Sequence, residues 1–150
     1  MAVGAHAAPM MIVDSSTWAA FFNGLDTPHA ARLDIALRDE EDLAVLPIIV
    51  TEVLQGFRTE HGFEEAESLL GSLPVIHPTL DCHVRAARLF RILRGHGVTV
   101  RGAIDCVIAQ ACLDLEAQLL SPDRDFEQIA RHTSLRLWSS DSEEELIPPA

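Results

Sequence analysis

Five carboxylates in this chain stand where solvation alone does not explain a charge. Asp14 closes the apolar run "MMIVDSS", Glu52 lies within "IIVTEVL" and Asp105 within "AIDCVIA". Asp123 and Asp125 follow one residue apart in "LLSPDRDFEQ". A buried carboxylate is costly unless it is paired or holds a cation. Taken singly, several have plain explanations. Asp105 sits near a helix start, where the dipole favours an anion, and Asp-x-Asp is common in turns and caps. Glu52 has no such excuse. The chain contains no lysine, so an arginine such as Arg58 or Arg101 would have to pair with it. Together, acids of this kind suit a hard divalent cation, which takes oxygen ligands from a few carboxylates and keeps several waters. Such ions activate a water and neutralise a scissile phosphate. Clustered acids also repel one another when empty, so one of them can hold a proton without the ion.

Shared chemistry requires elements that bring these residues to one place. "MMIV" and "LAVLP" are short apolar runs rich in strand formers, and "PVIHP", "QLLS" and "LRLW" are three more. Helices are expected between them. One runs from Thr17 to a stop at Gly24, and one is capped by Thr27 with Pro28 at its first position. Another opens at Pro47 and carries Glu52. "GFEEAESLLGSL" is amphipathic, and a long helix capped by Thr79 ends at Gly95 or Gly97. "GAIDCVIAQACLDLEA" is apolar nearly all round and reads as a buried helix. Strands alternating with helices predict an α/β fold with a mostly parallel sheet, whose ligands bind beyond the carboxyl ends of the strands. Asp14 and Asp123 both lie at such ends. Asp125 is expected to cap the helix "FEQIARH", with Phe126 packed beneath the turn. Asp114, out of phase with Asp105, is expected to face solvent.

The bulk numbers narrow the classes. At 150 residues, with 48% hydrophobic and 23% charged, the chain is one domain's worth with a single core. No apolar run approaches the ~20 residues of a membrane span. "MAVGAHAAPM" lacks the charged start and apolar stretch of a secretory signal. We read 1–10 as a flexible leader, 11–138 as the folded domain and 139–150 as an acidic, disordered tail. The three cysteines form no Cys-x-x-Cys pair and suit buried thiols in a reducing cytoplasm, and the seven histidines show no metal-ligand spacing. A net charge of −12 runs against a nucleic-acid binder that advertises a basic face. The tail's Asp141, Glu143, Glu144 and Glu145 explain only part of it.

The order Asp14, Glu52, Asp105, Asp123 comes with the pieces "MIVDSS", "TEVLQGF", "GVTVRGAIDCVIAQAC" and "LLSPDRDF". In that order and spacing the chain resembles the PIN-domain ribonucleases, above all the VapC-type toxins of toxin–antitoxin pairs, over nearly all of Met11 to Trp138. The resemblance implies a three-layer α/β/α domain with a central, mostly parallel sheet of four to five short strands. It also implies a metal-dependent endoribonuclease whose acidic pocket holds Mg²⁺ or Mn²⁺. Carried over by position, the catalytic and metal-binding acids are Asp14, Glu52, Asp105 and Asp123, with Asp125 a further candidate through water. Ser16 and Ser121 would orient ligands. Arg58, Arg94 and Arg101 would steer RNA phosphates, Arg101 foremost. A homodimer, a small antitoxin partner and a cytoplasmic location go with the family. The acidic tail would either solvate the chain or compete with RNA for the basic rim.

Other classes fit less well. A haloacid-dehalogenase-type phosphotransferase would want a second carboxylate two residues after Asp14, where Ser16 stands, and a receiver domain would want adjacent acids and a lysine. The remaining alternative is a PIN-fold module that binds RNA or protein without cutting.

Overall fold

The computed structural model describes residues 9–141. The first eight residues of the expected leader and the expected tail from 142 onward lie outside the described residues.

Among the described residues, four short strands form the sheet: β1 (Met11–Val13), β2 (Leu43–Ala44), β3 (Gln118–Leu120) and β4 (Arg136–Leu137). Their order is β2-β1-β3-β4, and every pairing is parallel. Met11 lies beside Leu43 on one side and Gln118 on the other. β1 is buried throughout, as are Leu43, Ala44, Leu119 and Leu120. This is the unalternating apolar pattern of parallel strands covered on both faces. "PVIHP" supplies less than the expected strand. Val75 makes a single parallel bridge to Val45, held by Val45 N–H to Pro74 O and Ile76 N–H to Val45 O, both 2.9 Å. The flanking prolines limit it, since a proline cannot donate to a ladder.

Among the described residues, seven helices flank the sheet: α1 (Ser15–Phe22), α2 (Pro28–Arg38), α3 (Pro47–Leu54), α4 (Glu60–Gly71), α5 (Leu80–Gly95), α6 (Ala103–Leu115) and α7 (Arg124–His132). Their ends follow local rules. Thr27, Thr59 and Thr79 cap α2, α4 and α5 with side-chain oxygens. At the end of α1, Gly24 adopts φ +66°, and Leu25 N–H reaches back to Ala20 O while Gly24 N–H reaches Phe21 O. That Schellman turn needs a left-handed residue, which glycine supplies without strain. Gly97 (φ +79°) turns the chain in the same way after α5, whose last helical residue is Gly95.

α1 begins at Ser15, two residues earlier than the pattern of apolar positions implied, so Asp14 is its N-cap residue. The side chain makes no cap bond, which leaves it available for the neighbouring strand. α1 packs on α2 and α3, α3 on α4, α5 on α6, and α6 on α7. Trp18, Phe126, Ile12, Leu33, Ile108 and Leu119 are among the fully buried side chains of the core. Phe126, expected to pack beneath the turn after β3, is fully buried. Among the described residues, no helix is long and apolar enough to cross a membrane.

Candidate functional site

β1 is central, and the chain departs to β2 on one side and β3 on the other. Open parallel sheets bind ligands at this kind of switch point, outside the strand carboxyl ends. Asp14 leaves β1 there and Ser121 leaves β3, stitched together by Asp14 N–H to Leu120 O at 3.0 Å. Asp14 is buried, and its Oδ2 accepts the hydroxyls of Ser16 (3.1 Å) and Ser121 (3.0 Å). Ser121 Oγ in turn accepts the N–H of Asp123 at 3.2 Å. This one buried hydroxyl therefore sets the position of both strand-end acids.

Asp105 enters from the first turn of α6, an element that packs on both β3 and α7. Carboxylate oxygens of Asp105, Asp123 and Asp125 lie within 4.8 Å of one another. Burial raises the Asp105 carboxyl, and Asp123, Asp14, Asp125 and Glu52 raise it further, to about 6. Glu52, half-buried on α3, is raised by burial and then by the charge of Asp14. All five acids predicted from the sequence thus act on a common field, with three of them close enough to share one ion. The donors are hard oxygens in an electrostatically strained set, which fits Mg²⁺ or Mn²⁺ and not a soft metal.

The division of labour between Asp123 and Asp125 differs from the expectation. Asp123 has extended backbone angles (φ −69°, ψ 128°), so α7 begins at Arg124. Its Oδ1 accepts the N–H of Asp125 at 2.9 Å, so Asp123 is the cap. Asp125 lies in the first helical turn, and its carboxylate belongs to the close group of three. The helix starts one residue after Asp123, and a cap must precede the helix it serves. Asp123→Asn is accordingly expected to weaken Mn²⁺ binding in calorimetry while leaving the melting temperature unchanged, because asparagine caps equally well. Asp123→Ala should weaken binding and also cost about 1 kcal/mol of stability.

Arg101 is not a free rim cation. Its backbone N–H and Nε–H both reach Asp125 Oδ2 at 3.3 Å, and Nη2 stands 3.6 Å from Asp123 Oδ1. The side chain is 81% exposed, so it can swing away from the acids. Arg58 is exposed beyond α3, and Arg94 is exposed near the end of α5, over the Phe90 ring at 5.7 Å.

Asp114 is exposed but not idle. It takes the Arg85 guanidinium through both carboxylate oxygens and also accepts from Gln110, pinning α5 to α6. His29 was not singled out in the sequence. It sits edge-on to Trp138 at 5.0 Å and bonds to the Ser121 backbone, with burial lowering its pKa. No periodicity signals that contact, since it links α2 to the exit of β3. Cys82, Cys106 and Cys112 are buried free thiols, all raised chiefly by burial, as expected of inert cysteines.

Comparison with known proteins agrees with this arrangement. The family model of the PIN domain matches residues 11–132. Ribonuclease VapC11 of Mycobacterium tuberculosis is 30% identical over 132 residues, covering 87% of this chain and 98% of the relative. The VapC ribonuclease Mb1587 of Mycobacterium bovis matches to the same extent. Among solved structures, VapBC2 of Rickettsia felis, crystallised on a DNA fragment from its promoter, superposes with a TM-score of 0.69 at 16% identity. It covers 86% of this chain and 97% of that one. VapC20 of Mycobacterium tuberculosis, a toxin that cleaves the sarcin–ricin loop, superposes with a TM-score of 0.62 at 16% identity, covering 78% and 92%.

Proposed function

Because this chain belongs to the PIN-domain family, we propose that it is the ribonuclease toxin of a toxin–antitoxin pair, hydrolysing RNA at the carboxylate cluster beyond β1 and β3. One observation carries the reading: acids from β1, α6 and the β3–α7 turn converge at the switch point of the sheet. Relatives sharing 30% identity along nearly their whole length are ribonucleases. The nuclease domain is taken as 11–138, with 1–10 as a leader and 139–150 as an acidic tail.

Asp14, Asp105, Asp123 and Asp125 would hold Mg²⁺ or Mn²⁺, with Glu52 close enough to feel the charge of Asp14. Once bound, such an ion supplies the charge that polarises the phosphate and lowers the pKa of a coordinated water. The chain's own residues do the rest. Ser121 and Ser16 fix Asp14 in one orientation, as outer partners of metal-ligating carboxylates do. Glu52, whose proton affinity is raised by burial and by Asp14, would accept the proton of the attacking water. Arg101 can leave Asp123 and Asp125 and turn its planar fork to a phosphate.

Structural neighbours solved as complexes with their antitoxins support a small antitoxin partner. A homodimer and a cytoplasmic setting complete the reading. The test is incubation of the purified chain with structured and single-stranded RNA, with Mn²⁺, with Mg²⁺ and with EDTA. Cleavage within the strand that requires the divalent ion is expected. Cleavage that survives EDTA would overturn the metal centre, and RNA retained but never cut would favour the binding-module alternative.

A further inference from the structure

The charge of this chain is unevenly spread. Although its net charge is −12, the stretch 82–104 contains no Asp or Glu and five of the eleven arginines. Arg85 is committed to Asp81 and Asp114, and Arg101 lies on the acid cluster. The other three, Arg88, Arg91 and Arg94, recur every third residue along α5, so each step advances about 4.5 Å along its axis. All three are exposed, and none makes an ion pair among the described residues. What sets these three apart is that they stand together on one helix, in a stretch from Cys82 to Ile104 with no acidic residue to neutralise them.

Two depressions join this row to the active site. An open hollow of about 610 Å³ is lined by Arg88, Arg91 and Arg94. A second, of about 560 Å³, lies between α5 and the start of α6, and both Arg91 and Arg101 line it beside mostly apolar residues. Arg91 belongs to both. Arg101 touches Asp123 and Asp125, so the second depression has arginines from both the α5 row and the carboxylate cluster in its wall. Phe90 lines the second depression with a partly exposed ring, over which the Arg94 guanidinium stands at 5.7 Å and from which it can turn to a phosphate. A positive groove with an aromatic surface is how single strands are held without sequence preference.

We propose that Arg88, Arg91 and Arg94 form the track on which the backbone of a single-stranded RNA is held while a distant phosphodiester is cut. The strand passes along the furrow by Phe90 to Arg101, which hands the scissile phosphate to the acids. This rests on the ribonuclease reading and adds where the rest of the strand is bound. It also accounts for how a strongly acidic protein approaches a polyanion: the attraction is local, and the remaining surface repels.

The test uses the full chain and a labelled single-stranded RNA of about 20 nucleotides, with binding followed by fluorescence anisotropy in EDTA over a range of salt. Wild type is compared with R88Q/R91Q/R94Q and with R88K/R91K/R94K. Each phosphate contact contributes about 0.7 to the slope of log affinity against log salt for single strands. The glutamine triple should flatten that slope by about 2 and lower affinity roughly 10- to 100-fold at 0.1 M salt. The lysine triple, which keeps the charge, should stay within about threefold of wild type. With a divalent ion present, the glutamine triple should lose kcat/KM on the long strand, chiefly through a raised KM. An unchanged salt slope in the glutamine triple would overturn the track. So would loss of binding to polyglutamate with RNA binding intact, which would assign the face to an acidic polypeptide. Failure of wild type to cut any RNA would count against the ribonuclease reading, and the anisotropy comparison would still decide the track.

Discussion

Asp14→Asn is expected to lower RNA cleavage about a thousandfold while leaving the fold in place. The size follows from what the carboxylate contributes: a ligand charge at a metal that stabilises the transition state by several kcal/mol, and about 4 kcal/mol corresponds to that factor. The intact fold follows from geometry. Asp14 Oδ2 accepts the hydroxyls of Ser16 and Ser121, and an asparagine can turn its amide oxygen to the same two donors. The backbone bonds that join β1 to β3 and start α1, from Asp14 N–H to Leu120 O and from Thr17 and Trp18 N–H to Asp14 O, do not involve the side chain. The melting temperature should therefore stay within about 3 °C of wild type. Cleavage persisting at wild-type rate in Asp14→Asn would remove this residue from the centre. A large fall in melting temperature would instead mean that the charge itself holds the strand exit together.

Asp105→Asn should separate activity from stability in the opposite sense. Cleavage is expected to fall by about the same thousandfold, yet the metal-free protein should become more stable at neutral pH. Burial and four neighbouring acids raise the Asp105 carboxyl to about 6, against 3.8 in an open chain. Between those values the folded state holds a proton that the unfolded state has released, so stability falls as pH rises through that window. The penalty is absent below pH 3.8 and fully present above about pH 6. The group is partly open to solvent, which screens the interaction, so about 1 kcal/mol is the expected gain. Thermal melts in EDTA at several pH values check it: wild type should lose stability from pH 4 to 7 relative to Asp105→Asn. Adding Mn²⁺ at pH 7 should raise the wild-type melting temperature and leave the variant nearly unmoved. For the same reason, metal binding and cleavage should weaken below pH 6, where the ion must displace the proton. Equal pH dependence in the two proteins would show that Asp105 does not carry the raised affinity.

Both experiments concern residues visible in the sequence before any coordinates. The acids stood out because each interrupts an apolar run, and their placement at strand exits followed from the parallel-sheet rule. Helix starts at Thr27 and Thr79 and stops at Gly24 and Gly97 are local signals, carried by side chains within a few residues of the turn they govern, whereas α4 starts under Thr59, two residues ahead of the amphipathic stretch. Element order was legible for the same reason. "PVIHP" has strand-forming residues yet makes only a single bridge, since prolines on both sides remove the donors.

What the residues alone established is therefore an inventory and an order: an α/β chain, five acids in awkward places, and strand ends for Asp14 and Asp123. Which carboxylates meet was decided by contacts between distant segments. Ser121 reaches Asp14 across 107 positions, and Arg85 reaches Asp114 across 29. Within "LLSPDRDFEQ" the roles turned on a single residue of register. α7 starts at Arg124, which makes Asp123 both cap and candidate ligand and swings Asp125 into the group with Asp105. A cap is recognised from short-range pattern, but the exact first residue of a helix depends on how β3 delivers the chain to it. That delivery is set by packing across the whole sheet.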